Sequence, residues 1–206
     1  MNLMKLTFDE ELYKEGYELI AGIDEAGRGP LAGPVVASCV VFDQSVLIEG
    51  LNDSKKLSKK MREKLKEEIY EKALAIGIGI IDNNIIDEVN ILAATKLAMI
   101  NAFNQLKIKP DIVIIDAVEI NIPIKRISLI KADQRSKVVA ASSIIAKTKR
   151  DEIMAKYDLE YPEYGFINHQ GYPTKKHIEA IKMYGVTEIH RKTFKPIKDM
   201  LKYENT

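Results

Sequence analysis

One cysteine, three histidines and no long apolar run set the first limits on this chain of 206 residues. Cys39 cannot form an internal disulfide, and it sits in Val35-Val36-Ala37-Ser38-Cys39-Val40-Val41-Phe42, where a buried strand residue is expected rather than a nucleophile. A reducing, cytoplasmic setting is the matching expectation. None of His169, His177 and His190 pairs with Ser or Cys in a recognisable nucleophilic arrangement, so none is given a catalytic role. No stretch approaches the roughly 20 apolar residues of a membrane span, and the mixed, acid-containing start from Met1 to Glu15 lacks signal-peptide character. Repeats, linkers and low-complexity segments are absent too.

Net charge is also scarce, at +1. Its distribution is not even: residues 1–50 hold three Lys/Arg against nine Asp/Glu, and residues 101–150 hold ten against four. Charge counts alone leave a polyanionic partner and a merely solvated basic face equally open. What is present suits one globular domain with a full core: 46% hydrophobic and 30% charged residues.

Tyr17 to Asp24 and Val35 to Phe42 read as strands, the second buried on both faces. Ser58 caps a helix to about Ile76, with Gly77 as its stop, and Ile78 to Ile81 is a short strand before the polar break Asp82-Asn83-Asn84. A helix from about Asn90 to Leu106 turns Leu92, Thr95, Met99, Ala102, Phe103 and Leu106 inward. Asp111 to Asp116 is a central strand and Ile127 to Ile130 another. From Ser136 a long helix opens with small and apolar residues, and its basic part, Lys147-Thr148-Lys149-Arg150, faces solvent or a polyanion. Aromatic turns follow, then a helix capped by Thr174 and ended by Gly185. Interleaved strands and helices give the α/β class.

Strands that end in acids recur: Asp24 and Glu25, then Asp116, then Asp133. Such acids converge where an active site lies at strand ends, and several carboxylates in one place need positive charge among them. Two Mg²⁺ or Mn²⁺ ions, roughly 3.5–4 Å apart in a two-metal phosphodiester site, suit oxygen ligands. One ion would activate a water and the other would stabilise the leaving oxygen. Each acid taken singly is better read as a surface residue; their number, beside Gly27-Arg28-Gly29, favours the site. Neighbouring strand residues point to opposite faces, so β-structure is expected to end or distort at Glu25.

Ile23-Asp24-Glu25-Ala26-Gly27-Arg28-Gly29-Pro30-Leu31-Ala32-Gly33-Pro34-Val35-Val36, Asn52-Asp53-Ser54-Lys55-Lys56-Leu57, Ser142-Ser143-Ile144-Ile145-Ala146-Lys147 to Arg150-Asp151, Tyr164-Gly165-Phe166, Gly171-Tyr172-Pro173-Thr174 and Ile189-His190-Arg191 together resemble the ribonuclease HII family, nearly end to end. The resemblance implies a ribonuclease H-like mixed central sheet flanked by helices, in one domain over 1–206 with a helical C-terminal extension from about 160. It implies metal-dependent endonucleolytic cleavage of RNA in RNA–DNA hybrids and 5′ of ribonucleotides embedded in duplex DNA, leaving 5′-phosphate and 3′-hydroxyl ends. The metal carboxylates fall on Asp24, Glu25, Asp116 and Asp133. Gly27, Arg28 and Gly29 fall where backbone groups read the ribose 2′-hydroxyl, and Tyr172 where a tyrosine stacks on the sugar 3′ of the cut. Without the resemblance, Tyr172 reads as a packed turn aromatic. Ala132 stands where many bacterial members have glycine, which requires a negative backbone angle there. Asp151 competes as a ligand, but next to Arg150 on a helix it is more simply an ion-pair partner.

Lys55 and Lys56, and Lys147 with the Ser143 hydroxyl one turn before it, are candidates for phosphate contact, as are Lys175 and Lys176; each equally suits a solvated surface. A monomer is expected, with no membrane association and no recognisable replication-partner motif after Lys195. Another nuclease of the same fold, such as ribonuclease HIII or a junction-resolving enzyme, is disfavoured by Gly27-Arg28-Gly29 with Tyr172 and by the lack of a long N-terminal extra domain. A hybrid-binding module without catalysis would not need the acids.

Overall fold

Two apolar runs make the centre of the molecule, which the computed structural model describes over residues 6–203. The ends of the expected domain, residues 1–5 and 204–206, lie outside the described residues. Strand β1 (Ile20–Ala26) pairs antiparallel with β2 (Val35–Phe42), in register from Ile20 opposite Phe42 to Ala26 opposite Val36. Every residue of β2 is buried, because helices cover both faces of the sheet. β3 (Ala75–Ile81) lies antiparallel to β2, while β4 (Ile112–Asp116) and β5 (Lys125–Leu129) continue parallel on the other side of β1, in the order β3-β2-β1-β4-β5.

Alternation along the strands feeds two cores. Ala21, Ile23, Val113 and Ile115 pack with α3 (Asn83–Val89) and α4 (Ile91–Asn104). Ile20, Val40, Ile112 and Ile114 pack with α1 (Phe8–Lys14), α2 (Lys59–Lys72) and the long α5 (Lys137–Glu160). A third core joins Leu31, Ala32 and Met154 to α6 (Phe166–His169), α7 (Lys175–Tyr184) and α8 (Ile197–Tyr203), so the C-terminal helices sit against the segment that follows β1. The expected N-caps Ser58 and Thr174 hold, accepting from the amides of Met61 and His177, and Ser136, where the long helix was expected to begin, caps it by accepting from Val139. No helix among the described residues is long and apolar enough to cross a membrane.

Several expectations need correction. α2 stops at Lys72, and Ile76 and Gly77 belong to β3. Gly77 is therefore no helix stop; a Cβ there would collide with the Ala102 carbonyl, so its hydrogen lets α4 lie close on the sheet edge. The polar break is the start of α3, with the Asp82 carboxylate accepting from the amides of Asn84 and Ile85. Leu92 is exposed, and Ala94 and Ala98 take the inner face of α4. β1 does not end at Asp24: it pairs regularly with β2 through Glu25 and Ala26. Arg150, placed in a basic solvent-facing stretch, is buried, as is Thr148.

The C-terminal core contains a directional histidine chain. His177 Nδ1 faces the Tyr172 carbonyl at 2.9 Å and must donate to it; its Nε2 then accepts from His190 Nε2 at 3.1 Å, and His190 Nδ1 accepts from the Thr187 amide at 2.9 Å. Burial pushes both imidazoles down to about 4 from 6.5. At the other end of the molecule burial pushes Asp9 up to about 6 from 3.8, against hydrogen bonds from the Ser136 hydroxyl and the Lys137 amide. The linkage signs oppose each other. The histidines bind fewer protons folded than unfolded between pH 4 and 6.5, so their contribution is complete above 6.5 and lost as pH falls toward 4; Asp9 binds more protons folded between 3.8 and 6, which favours the fold on acidification. Asp9→Asn removes the opposing contribution. Its urea midpoint should fall more steeply between pH 6.5 and 4 than that of the wild type, and parallel curves would refute the assignment.

Candidate active site

Parallel pairing of β1 with β4 carries two acids to one place. The last paired residues are Ile23 and Ile115, and Asp24 and Asp116 each stand one step beyond them. Asp24 is buried and its Oδ1 accepts from the Glu25 amide at 2.7 Å. Asp116 Oδ1 accepts from the Ala132 amide at 2.7 Å, which draws in the 3₁₀ turn Ala132–Gln134 and its buried Asp133. Two left-handed non-glycine residues frame this connection, Ala117 at φ 50° and Lys131 at φ 56°. Ala132 itself is not left-handed, as an alanine there requires.

Burial raises all four carboxyls, and like charge adds to it. Asp24 is held well above the carboxylate range by burial and then by Glu25 and Asp116, with the Ser143 hydroxyl opposing. Glu25 and Asp116 are also raised by burial, against Arg28 at the first and the Ala132 amide and Lys55 at the second. Asp133 reaches about 6 through burial, Asp53 and Asp116. Lys55 answers this charge: burial alone would lower its ammonium, but Asp24, Asp53 and Asp133 outweigh that and raise it. Arg28 Nη1 lies 3.4 Å from Glu25 Oε1, while Glu25 Oε2 is buried without a hydrogen-bond partner.

A cleft of about 530 Å³ gathers most of the residues expected from sequence: Glu25, Gly27, Arg28, Gly29, Lys55, Ser143, Lys147 and Tyr172. The half-exposed Tyr172 ring stands across from Gly29, where an added Cβ would lie 3.4 Å from its Cε1. Ser143 Oγ lies 2.9 Å from Ser54 Oγ, fixing the Lys55 turn to α5. Lys147 is tied to Asp151 at 2.5 Å, with Arg62 at 3.8 Å from the same carboxylate, so Asp151 is an ion-pair partner. Lys56 is exposed and outside the cleft lining, and the Lys175 side chain is turned to solvent.

Sequence reasoning passed over Asp53, Arg150 and Arg191. Asp53 was within reach: its Oδ1 accepts from the Lys55 amide at 2.9 Å in an ordinary capping pattern, and its Oδ2 accepts from Gln134 at 3.4 Å. For the two arginines no local pattern announces burial.

The donor set suits a hard divalent cation: carboxylate oxygens only, all raised by burial first and by neighbouring carboxylates second, one buried and unpartnered. Among the described residues, no three His, Cys, Asp or Glu already surround one point closely enough to hold an ion, so closing on a metal takes side-chain rotation. Mutual repulsion keeps such carboxylates apart until a cation joins them.

Comparison with known proteins gives one answer. The sequence model of the ribonuclease HII family matches residues 21–197. The ribonuclease H2 of Pyrococcus horikoshii OT3 is 29% identical, with a TM-score of 0.79 over 91% of this chain and 99% of that one. The ribonuclease HII of Archaeoglobus fulgidus, solved in complex with PCNA, is 28% identical, with a TM-score of 0.73 over 86% and 95%. Bst-RNase HIII, solved with Mn²⁺, shares the fold at 18% identity and a TM-score of 0.67, over 91% of this chain and 70% of that one.

Crowded carboxylates should cost stability when no cation neutralises them. Asp24→Asn keeps an oxygen for the Glu25 amide and removes a carboxyl that burial and its neighbours hold well above its ordinary range, so in chelating buffer it should stabilise the fold at pH values above the ordinary carboxylate range, read as a higher melting temperature. A lower one would contradict the electrostatic reading.

Proposed function

Since the chain belongs to the ribonuclease HII family, and is thereby a ribonuclease H that cuts RNA–DNA hybrids endonucleolytically, we propose that it also cuts duplex DNA on the 5′ side of single embedded ribonucleotides, with divalent metal held by Asp24, Glu25, Asp116 and Asp133. The observation that carries this reading is the shared cleft, in which Gly27-Arg28-Gly29 and the Tyr172 ring face each other beside Glu25, the one of the four acids that lines it, with Asp24 next to it in the chain. A reader of one sugar and the groups that cut next to it then occupy one turn of chain.

Mg²⁺ or Mn²⁺ bound there, as a pair in the catalytic complex, would supply Lewis acidity at the phosphate oxygens and a water of lowered pKa. The protein's own groups position the substrate. Backbone groups of Gly27 to Gly29 meet the 2′-hydroxyl, which both donates and accepts. Tyr172 lays its ring on the sugar 3′ of the cut. Lys55 and Arg28 bring positive charge beside the acids to meet the phosphate, Ser143 and Lys147 line the same cleft, and Lys56 meets the backbone farther out.

Water attacks phosphorus in line and the preceding 3′-oxygen leaves, giving 5′-phosphate and 3′-hydroxyl ends. The 2′-hydroxyl is not the nucleophile: His169, His177 and His190 all lie buried behind Tyr172, leaving no imidazole in the cleft to deprotonate it. We further take the chain to work as a monomeric, single-domain cytoplasmic enzyme that removes misincorporated ribonucleotides and RNA primers, a setting consistent with its one buried, unpaired Cys39.

On a duplex with one ribonucleotide, chelator should abolish cleavage and either Mg²⁺ or Mn²⁺ should restore it, with an all-DNA duplex uncut throughout; a 2′,3′-cyclic end in the product map would reject the mechanism. Asp24→Asn should reduce the rate by at least about 10³-fold while the substrate still binds, read by gel shift beside the cleavage assay. Unchanged cleavage would remove Asp24 from the site.

A further inference from the structure

Two arginines lie at the back of the cleft, Arg150 forming part of its wall and Arg191 beneath it. Arg150, on α5, and Arg191, before α8, are each 1% exposed or less, and neither makes an ion pair among the described residues. Every hydrogen bond described for them goes to a backbone carbonyl. Arg150 donates through Nε to Pro34 at 3.0 Å, through Nη1 to Gln170 at 2.9 Å and through Nη2 to Ala32 at 3.0 Å. Arg191 donates through Nη2 to Gly27 at 2.6 Å and Gly33 at 2.9 Å, through Nη1 to Arg28 at 3.0 Å and through Nε to Gly33 at 3.0 Å.

Burying a guanidinium without a contact ion pair is costly: burial outweighs the pull of Asp151 on Arg150 and of Asp87 on Arg191 and lowers both, and a hydrophobic residue would fill the same volume. What it achieves here is to fix one short irregular segment from both ends. The planar fork of donors holds several carbonyls in one plane, which an ammonium cannot do. Gly27, at φ 101°, makes room: a Cβ on it would collide with the Arg150 side chain.

The geometry has a directional consequence. In a trans peptide the carbonyl of one residue points opposite to the amide of the next. With the carbonyls of Gly27 and Arg28 turned onto Arg191, the amides of Arg28 and Gly29 point away from it, and both residues line the cleft. Gln170, held by Arg150, lies two residues before Tyr172, the ring across from Gly29.

We propose that Arg150 and Arg191 are positioning residues for ribonucleotide recognition: by capping the carbonyls of Gly27, Arg28, Ala32, Gly33, Pro34 and Gln170 they aim the Arg28 and Gly29 amides at the ribose 2′-oxygen and set the spacing to Tyr172. This rests on the embedded-ribonucleotide reading above. It goes beyond that reading by assigning selectivity to two nearly fully buried residues whose donors are turned onto backbone carbonyls.

The test uses the full chain. Arg191→Lys and Arg150→Lys keep the charge and lose the fork. Each should stay folded at assay temperature by circular dichroism, yet lose about 10- to 100-fold in kcat on a singly ribo-substituted duplex, with KM changed by less than about threefold. In an Asp24→Asn background that binds without cutting, the Arg28 and Gly29 amide resonances should shift differently with the ribo-substituted and all-DNA duplexes, and Arg191→Lys should erase that difference. Folded lysine variants with kcat within about twofold of wild type would overturn the proposal. So would amides that respond alike to both duplexes while Arg191 is intact, a measurement that decides alone if the lysine variants fail to fold. Wild-type enzyme that cuts a hybrid but leaves the singly substituted duplex whole would count against the preceding reading instead; the lysine variants are then judged on the hybrid by the same kcat criterion.

Discussion

Negative charge held out of water at the joined ends of β1 and β4 is the constraint around which this molecule is arranged. Asp24 and Asp116 meet because the strands are parallel and end in step, and the Ala132 amide on Asp116 brings Asp133 to them. Burial and mutual repulsion raise all of these carboxyls, so the fold spends stability where a cation is needed. Lys55 answers part of the charge, and its turn is held by Asp53 from below and by the Ser54–Ser143 pair from α5. The left-handed Ala117 and Lys131 mark where the backbone bends to keep the acids together.

The C-terminal helices complete that site; they are not an appendage to it. The segment after β1 receives backbone bonds from both sides: the Leu31 amide to the Gly171 carbonyl at 2.7 Å, Gly33 to Ile189 at 2.8 Å, and the Arg191 amide to Leu31 at 2.7 Å. Chain parts more than 130 residues apart thus form one small irregular layer. The histidine chain lies beneath it, with His177 holding the Tyr172 carbonyl and His190 next to Arg191. Irregular backbone of this kind survives only where its buried carbonyls find donors, which the two guanidiniums supply at Gly27, Arg28, Ala32, Gly33, Pro34 and Gln170.

What the sequence made legible follows from how local each signal is. β2 was readable to the residue because eight consecutive buried positions leave one interpretation, and Ser58 and Thr174 were readable as caps because capping spans three or four residues. The acids could be grouped because each follows an apolar run. Ile76 and Gly77 misled because a helical spacing ran on into a strand, where glycine served α4 rather than a helix end. Arg150 misled because two basic neighbours, Lys147 and Lys149, made it look like part of a solvated face, and its carbonyl partners lie 20 or more residues away. Charge in a sequence shows valence; only the fold shows whether water can reach it.

The regularity of β1 through Glu25 alters how the site works. Antiparallel pairing with β2 continues to Ala26, whereas pairing with β4 ends at Ile23, so Asp24 and Glu25 lie on a strand supported from one side only. Asp24 turns to the face of α5 and Ser143, Glu25 to the other, and both still reach the open end of the sheet, where Asp116 acts on each. A distorted strand would have put both acids on one face and loosened the register. A regular one keeps the register, and the register fixes where Gly27 begins. Because a one-residue slip would exchange the faces of every side chain in β1 and put a Cβ where only Gly22 clears the Val138 backbone of α5, the register of Ile20 to Ile23 fixes where Asp24, Glu25 and the backbone from Gly27 to Gly29 lie.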